Sequence, residues 1–129
     1  MHRRLDAIEH LMSLSKNQII AAKDSQPIEV EVPEWGGSIL LRPMTGTARN
    51  DYEFWAASEH GKNGQSDFRG IRERLIIAHA VDDQGESLFS LDDLEQLSGK
   101  NAEVIDRLHN ECQKLSGLTA EAIDDAAKN

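Results

Sequence analysis

A chain of 129 residues, 39% of them hydrophobic and with a net charge of −9, suits one small domain over 1–129 with a modest core. The negative charge repels a phosphate backbone and argues against nucleic-acid binding, while no apolar run approaches the roughly 20 residues that span a bilayer or follows Arg3-Arg4 as a signal peptide requires. The one cysteine, Cys112, excludes a disulfide within the chain and fits a reducing compartment.

Leu5, Ile8, Leu11 and Met12 recur every three or four residues. Residues 3–13 are therefore predicted as an amphipathic helix, with 1–12 an N-terminal extension that is either flexible or packed on a neighbouring chain. Ser15 is placed to cap a short turn through Ile19, Ile20 and Ala22, and Asp24-Ser25-Gln26-Pro27 breaks it. Ile28, Val30 and Val32 then alternate with Glu29 and Glu31, and a second extended run covers Ser38 to Arg42. Together they predict a β-hairpin over about 27–43, with Gly36-Gly37 supplying positive φ at its turn. A lone two-stranded hairpin is marginal in water, so it must rest on helices or gain strands from a partner. Its open edge is a potential self-association surface.

Thr45 or Thr47 can cap a helix over about 47–59, where Ala48, Tyr52, Trp55 and Ala56 share a face. Phe54 falls off that stripe; either it is a contact residue or the buried face is wide. A polar loop with two glycines covers 60–66, and Asp67 is placed to cap a helix over about 68–81. That helix carries Phe68, Ile71, Leu75 and Ala78, widened by Ile76 and Ile77, and reads as the central one. Asp82-Asp83-Gln84-Gly85 turns the chain. Glu86–Phe89 reads as extended, and Ser90 with Asp93 forms a capping box for a helix through Leu91, Leu94 and Leu97 that ends at Gly99. Asn101 caps a long helix to Leu115 with Ile105, Leu108 and Cys112 on one face. Gly117-Leu118 reads as a Schellman stop, and Thr119 caps a last short helix. The fold class is α+β, a small hairpin or sheet packed with about five helices.

Charge is uneven along the chain. Residues 1–81 hold 11 acidic and 10 basic side chains, whereas 82–129 hold 12 acidic and 4 basic. Such a surface favours solubility, whether for its own sake or to carry an aggregation-prone client.

Catalytic patterns are missing. The five histidines form no ligand pair at metal-binding spacing, and His79, at the edge of an apolar helix, reads as structural. Asp82–Glu86 places its glycine too early for a calcium loop. Gly61–Gly64 lacks the Lys-Ser ending of a phosphate loop, and no G-x-S-x-G elbow is present. Cys112 lies on an apolar stripe and reads as a small hydrophobe. No cofactor and no catalytic or metal-binding residue is assigned, and the expectation is a non-enzyme.

The blocks Lys16–Asp24, Val30–Gly37 and Leu41–Thr45, followed in order by Ile71–Ala78, Asp82–Phe89, Val104–Leu108 and Leu115–Leu118, resemble the tail assembly chaperones of long-tailed, siphovirus-type bacteriophages. The resemblance runs from about Ser13 to the C terminus, making 13–129 the chaperone-like domain. Its most specific part is the turn Pro33-Glu34-Trp35-Gly36-Gly37.

The resemblance implies a chaperone that binds the tape measure protein in the cytoplasm of the infected bacterium and keeps it soluble for tail tube assembly. It also implies absence from the finished virion, and a longer frameshifted form that recruits tail tube protein. The closing Ala127-Lys128-Asn129 is compatible with a slippery heptamer. Trp35, Met44, Phe54, Leu5, Ile8 and Leu11 are the candidate contacts to client or to further copies, and a homo-oligomer is expected. Trp35, beside two glycines, has packing onto the helices as its plainer reading. A structural adaptor of the head–tail connector kind, retained in the virion, is the alternative function.

Overall fold

The computed structural model describes residues 12–60 and 69–118. In chain order it contains α1 (Lys16–Ala21), β1 (Ile28–Val32), β2 (Gly37–Leu41), α2 (Gly46–His60), α3 (Ile71–His79), β3 (Ala80–Val81), α4 (Leu94–Ser98) and α5 (Ala102–Leu115). Short 3-10 turns cover Pro33–Trp35 and Leu91–Asp93. The fold is α+β, with five α-helices among the described residues and one small antiparallel sheet. The helices expected at 3–13 and after Thr119, with Leu5, Ile8 and Leu11, lie outside the described residues, as do Asp67 and Phe68.

The sheet has three strands, in the order β1-β2-β3. β1 pairs with β2 in the register Ile28↔Leu41 through Val32↔Gly37. β2 pairs on its other side with β3, Leu41 against Ala80 and Leu40 against Val81. The third strand replaces the last turn of the helix expected to reach residue 81. Two residues are too few to show a period of two, and Val81 continues the helical apolar spacing, so sequence pattern alone conceals them. Ala80 and Val81 are buried, and backbone bonds from Arg42 N to His79 O (2.9 Å) and from Leu88 N to Ala80 O (3.0 Å) extend the pairing. The hairpin thus gains its stabilising strand from its own chain.

Helix α3 starts at Ile71, after Gly70, whose φ of 81° places it in the left-handed region without a side-chain cap. It is the central helix: Leu75, Ile76, Ile77 and His79 are buried. It packs against α5, where Val104, Ile105, Leu108 and Cys112 are buried. Val32, Ile39 and Leu41 bring the inner face of the hairpin to the same core. Helix α2 contributes less, since none of residues 46–58 is fully buried. Its Trp55 ring stacks under the Arg74 guanidinium at 4.2 Å from the ring centroid, and Tyr52 lies 5.9 Å from Trp55.

Caps follow the local chemistry. Ser15 and Gln18 form a complete capping box, Thr45 Oγ1 accepts from Ala48 N at 3.1 Å, and Asn101 Oδ1 accepts from Glu103 N and Val104 N. Ser90 N donates to Asp93 Oδ2 at 2.9 Å, closing the predicted box there. Gly117, at φ 66°, stops α5 with bonds from Leu118 N to Gln113 O and from Gly117 N to Lys114 O, the Schellman pattern. Gly99 departs from expectation: its φ of −80° is right-handed, so α4 ends without a left-handed residue.

Candidate functional site

Among the described residues, two grooves and one bare helix stand out as surfaces that could engage another molecule. The signature turn builds the first. Pro33 opens the 3-10 turn with its fixed φ, and Gly36 at φ 79° closes it, its N–H donating to Pro33 O at 3.0 Å. Gly37 already belongs to β2, so only one of the two glycines takes the positive φ expected of both. Glu34 receives two hydrogen bonds from Arg107 of α5, at 3.0 and 2.6 Å. These bonds hold its carboxyl down at about 2. Both side chains are well exposed, so the pair fixes the turn against α5 more than it stabilises the fold.

Trp35 is left on the rim of a groove of about 690 Å³ formed with Leu88, Phe89 and α4. Trp35 is 36% exposed and Leu88 46%, while Leu97 at 5% forms the floor. Trp35 thus neither packs fully onto the helices nor stands free. The predicted signature residues 33–37 are brought together by this turn.

A second cleft, of about 390 Å³, lies between the start of α2, α3 and residues 87–91, and includes Arg42, Tyr52 and Arg74. Its cations are engaged. Arg42 donates to Gly85 O at 2.8 Å, and Arg74 covers Trp55.

The remaining predicted contacts separate. Phe54 is 75% exposed on α2, so the wide-buried-face alternative fails. Met44 is half-buried against the core, and its N–H donates to Ser116 Oγ at 3.3 Å. The β2–α2 corner that carries Met44 is stitched in this way to the end of α5. Met12, counted by the sequence in the stripe of the first helix, is 85% exposed; Leu14, Ile19 and Ile20, which the sequence did not single out as contacts, are 64, 55 and 77% exposed. They occupy α1 and its approach, and α1 buries none of its own residues. Leu88 was likewise missed, its position between a tight turn and a capping box being too short for periodicity, and Leu91, placed by the sequence on the apolar stripe of the next helix, is 57% exposed.

His79 and Cys112 are both held inside the core. His79 is fully buried, bonded through Nδ1 to Leu75 O and through Nε2 to Ser116 Oγ, both at 2.7 Å. Burial pushes the Cys112 thiol up to about 12, which leaves it protonated and unreactive. Asp82 Oδ1 accepts from Gln84 N and Glu86 N, an Asx turn with Gly85 at φ 81°. Among the described residues no cluster of His, Cys, Asp and Glu could hold a metal ion, and no helix is long and apolar enough to cross a membrane.

Three comparisons with known proteins bear on these surfaces. No curated protein matches the chain. The solved structure of the bacteriophage HK97 tail assembly chaperone is similar in fold, with a TM-score of 0.51 and 20% identity over 89% of this chain and 95% of that one. The family of phage tail assembly chaperones matches residues 15–129, a stretch that takes in the Trp35 turn, all the core helices and the groove between them. On that match the chain belongs to the phage tail assembly chaperone family.

Proposed function

We propose that the chain binds the tape measure protein of its phage and holds it soluble while the tail tube assembles, without catalysis. Family membership over residues 15–129 carries this reading. The surface agrees with it. A holding chaperone needs exposed apolar contacts on a well-charged body, and Ile19, Ile20, Phe54, Leu88 and Leu91 are exposed on a chain of net charge −9.

The same reading places the protein in the cytoplasm of the infected bacterium and outside the finished particle. It assigns recruitment of tail tube protein to a longer frameshifted form. Several copies would serve an extended client, and the bare helix α1 favours self-association. The strand-edge motive is weaker than the sequence suggested: β1 is a short outer strand bracketed by Pro27 and Pro33 and carrying Glu29 and Glu31, features that protect an edge. Static light scattering at high micromolar concentration should give a mass above one chain; a monomer there removes the oligomer.

Co-expression with the tape measure protein from the same phage tests the function. The expected result is a tape measure insoluble alone and recovered in a soluble complex with this chain. A tape measure whose solubility is unchanged, with no complex formed, overturns the reading.

A further inference from the structure

We propose that the cleft between the start of α2, α3 and residues 87–91 seats a segment of this same chain, residues 119–129. Ile123 lies on its apolar side, and Asp124 and Asp125 meet Arg42 and Arg74. Residues 119–129 are outside the described ones, and their chemistry is read from the sequence. They hold three acids (Glu121, Asp124 and Asp125), one base (Lys128) and one large apolar side chain, Ile123.

Position favours this segment. The last described residues, 116–118, end beside the cleft. Ser116 Oγ accepts from Met44 N–H at 3.3 Å, and Ser116 O accepts from the Arg49 guanidinium at 3.4 Å. Thr45 follows Met44, and Thr45 and Ala48 belong to the cleft's lining. Leu118 packs against the core, so the outgoing chain is anchored there. An extended chain covers about 3.3 Å per residue, and the stretch from Leu118 to Ile123 reaches roughly 17 Å. That span exceeds the breadth of a cleft of about 390 Å³. A short tether also holds the segment at an effective concentration in the millimolar range, so weak pairing suffices to fill the site.

Charge favours it as well. Arg42 and Arg74 are half-buried in the lining. Arg42 gives an N–H to Gly85 O, and Arg74 lies over the face of Trp55. Both of these partners are uncharged. Each guanidinium therefore keeps its full charge and further N–H groups for a carboxylate. Among the described residues neither arginine forms an ion pair. The start of α2 adds the positive end of a helix of 15 residues. The one acid in the lining, Asp51, is exposed, where water screens it. Ile77, Phe89 and Leu91 supply the apolar side, and the exposed Leu91 is the surface that Ile123 covers.

The test is a distance measurement in the full chain. Ala126→Cys takes a nitroxide label at the new thiol, since Cys112 is buried. Amide NMR intensities are compared with the label oxidised and reduced. Thr47, Ala78 and Leu91, all in the cleft's lining, are expected to lose at least twofold in intensity. Asp124→Lys with Asp125→Lys in the same labelled chain should recover at least half of that loss, and high salt should act in the same direction.

Intensities that do not change with the label overturn the proposal. So does a loss that is equally large after charge reversal, because proximity alone then accounts for it. A mixture of spin-labelled chains with isotope-labelled chains separates the remaining case: a loss of the same size there overturns the proposal, since another copy's segment then fills the cleft. None of these outcomes bears on the chaperone reading, which co-expression tests.

Discussion

His79 is the one buried polar side chain among the described residues, and its bonding fixes its protonation. Leu75 O can only accept, so Nδ1 carries the proton and Nε2 accepts from the Ser116 hydroxyl, which in turn accepts from Met44 N–H. Three segments far apart in sequence meet in this chain of bonds. Burial lowers the pKa of His79 below its ordinary value, the carbonyls of Leu75 and Cys112 oppose that, and His109 adds to the lowering. The unfolded chain therefore takes up a proton at higher pH than the folded one. Its contribution to stability is complete above the ordinary imidazole value of about 6.5 and is lost progressively as pH falls below it. Urea unfolding from pH 7.5 down to 5 should show native stability falling, with a smaller fall in His79→Gln; parallel curves would contradict the assignment. Cys112, fully buried with its thiol raised to about 12, should resist alkylation at pH 8 until denaturant is added. At this scale the sequence placed both residues correctly, since each lies on or beside an apolar helical stripe. Phe54 misled, because the average tendency of aromatics to be buried says nothing about a helix that lies only half against its core.

Helices and turns announced themselves through their caps. Ser15, Thr45, Ser90 and Asn101 each accept a backbone N–H at a helix start, and Gly117 ends α5. Asn101→Ala should therefore cost about 1 kcal/mol in chemical denaturation. Gly36→Ala should cost about the same, from backbone strain at φ 79°, since no neighbouring atom lies within 4 Å of an added Cβ. What local sequence could not reveal was set by distant contacts. Ala80-Val81 becomes a strand because β2 offers its second edge. Helix α3 starts at Ile71 because Gly70 before it, at a φ of 81°, turns the chain without a side-chain cap. The same contrast predicts dynamics. Amide exchange should be fast throughout α1, which buries nothing, and slowest in α3 and α5, which bury most of the core. Protected amides in α1 at low concentration would show that it packs after all.

Across the whole molecule, the fold class and the family signature were legible in the sequence, and the groove beside Trp35 only in part. Pro33-Glu34-Trp35-Gly36-Gly37 stood out as a block, but Arg107, which bonds Glu34, and Leu88 and Leu97, which line the groove with Trp35, lie far along the chain, and only the packed structure brings them to the turn. The account as a whole stands on client protection. Its most direct measurement is light scattering from tape measure protein diluted out of denaturant, with increasing amounts of the native chain. The account predicts that scattering falls in proportion to added chaperone and vanishes at a fixed stoichiometry. Scattering that is unchanged at any ratio would contradict it.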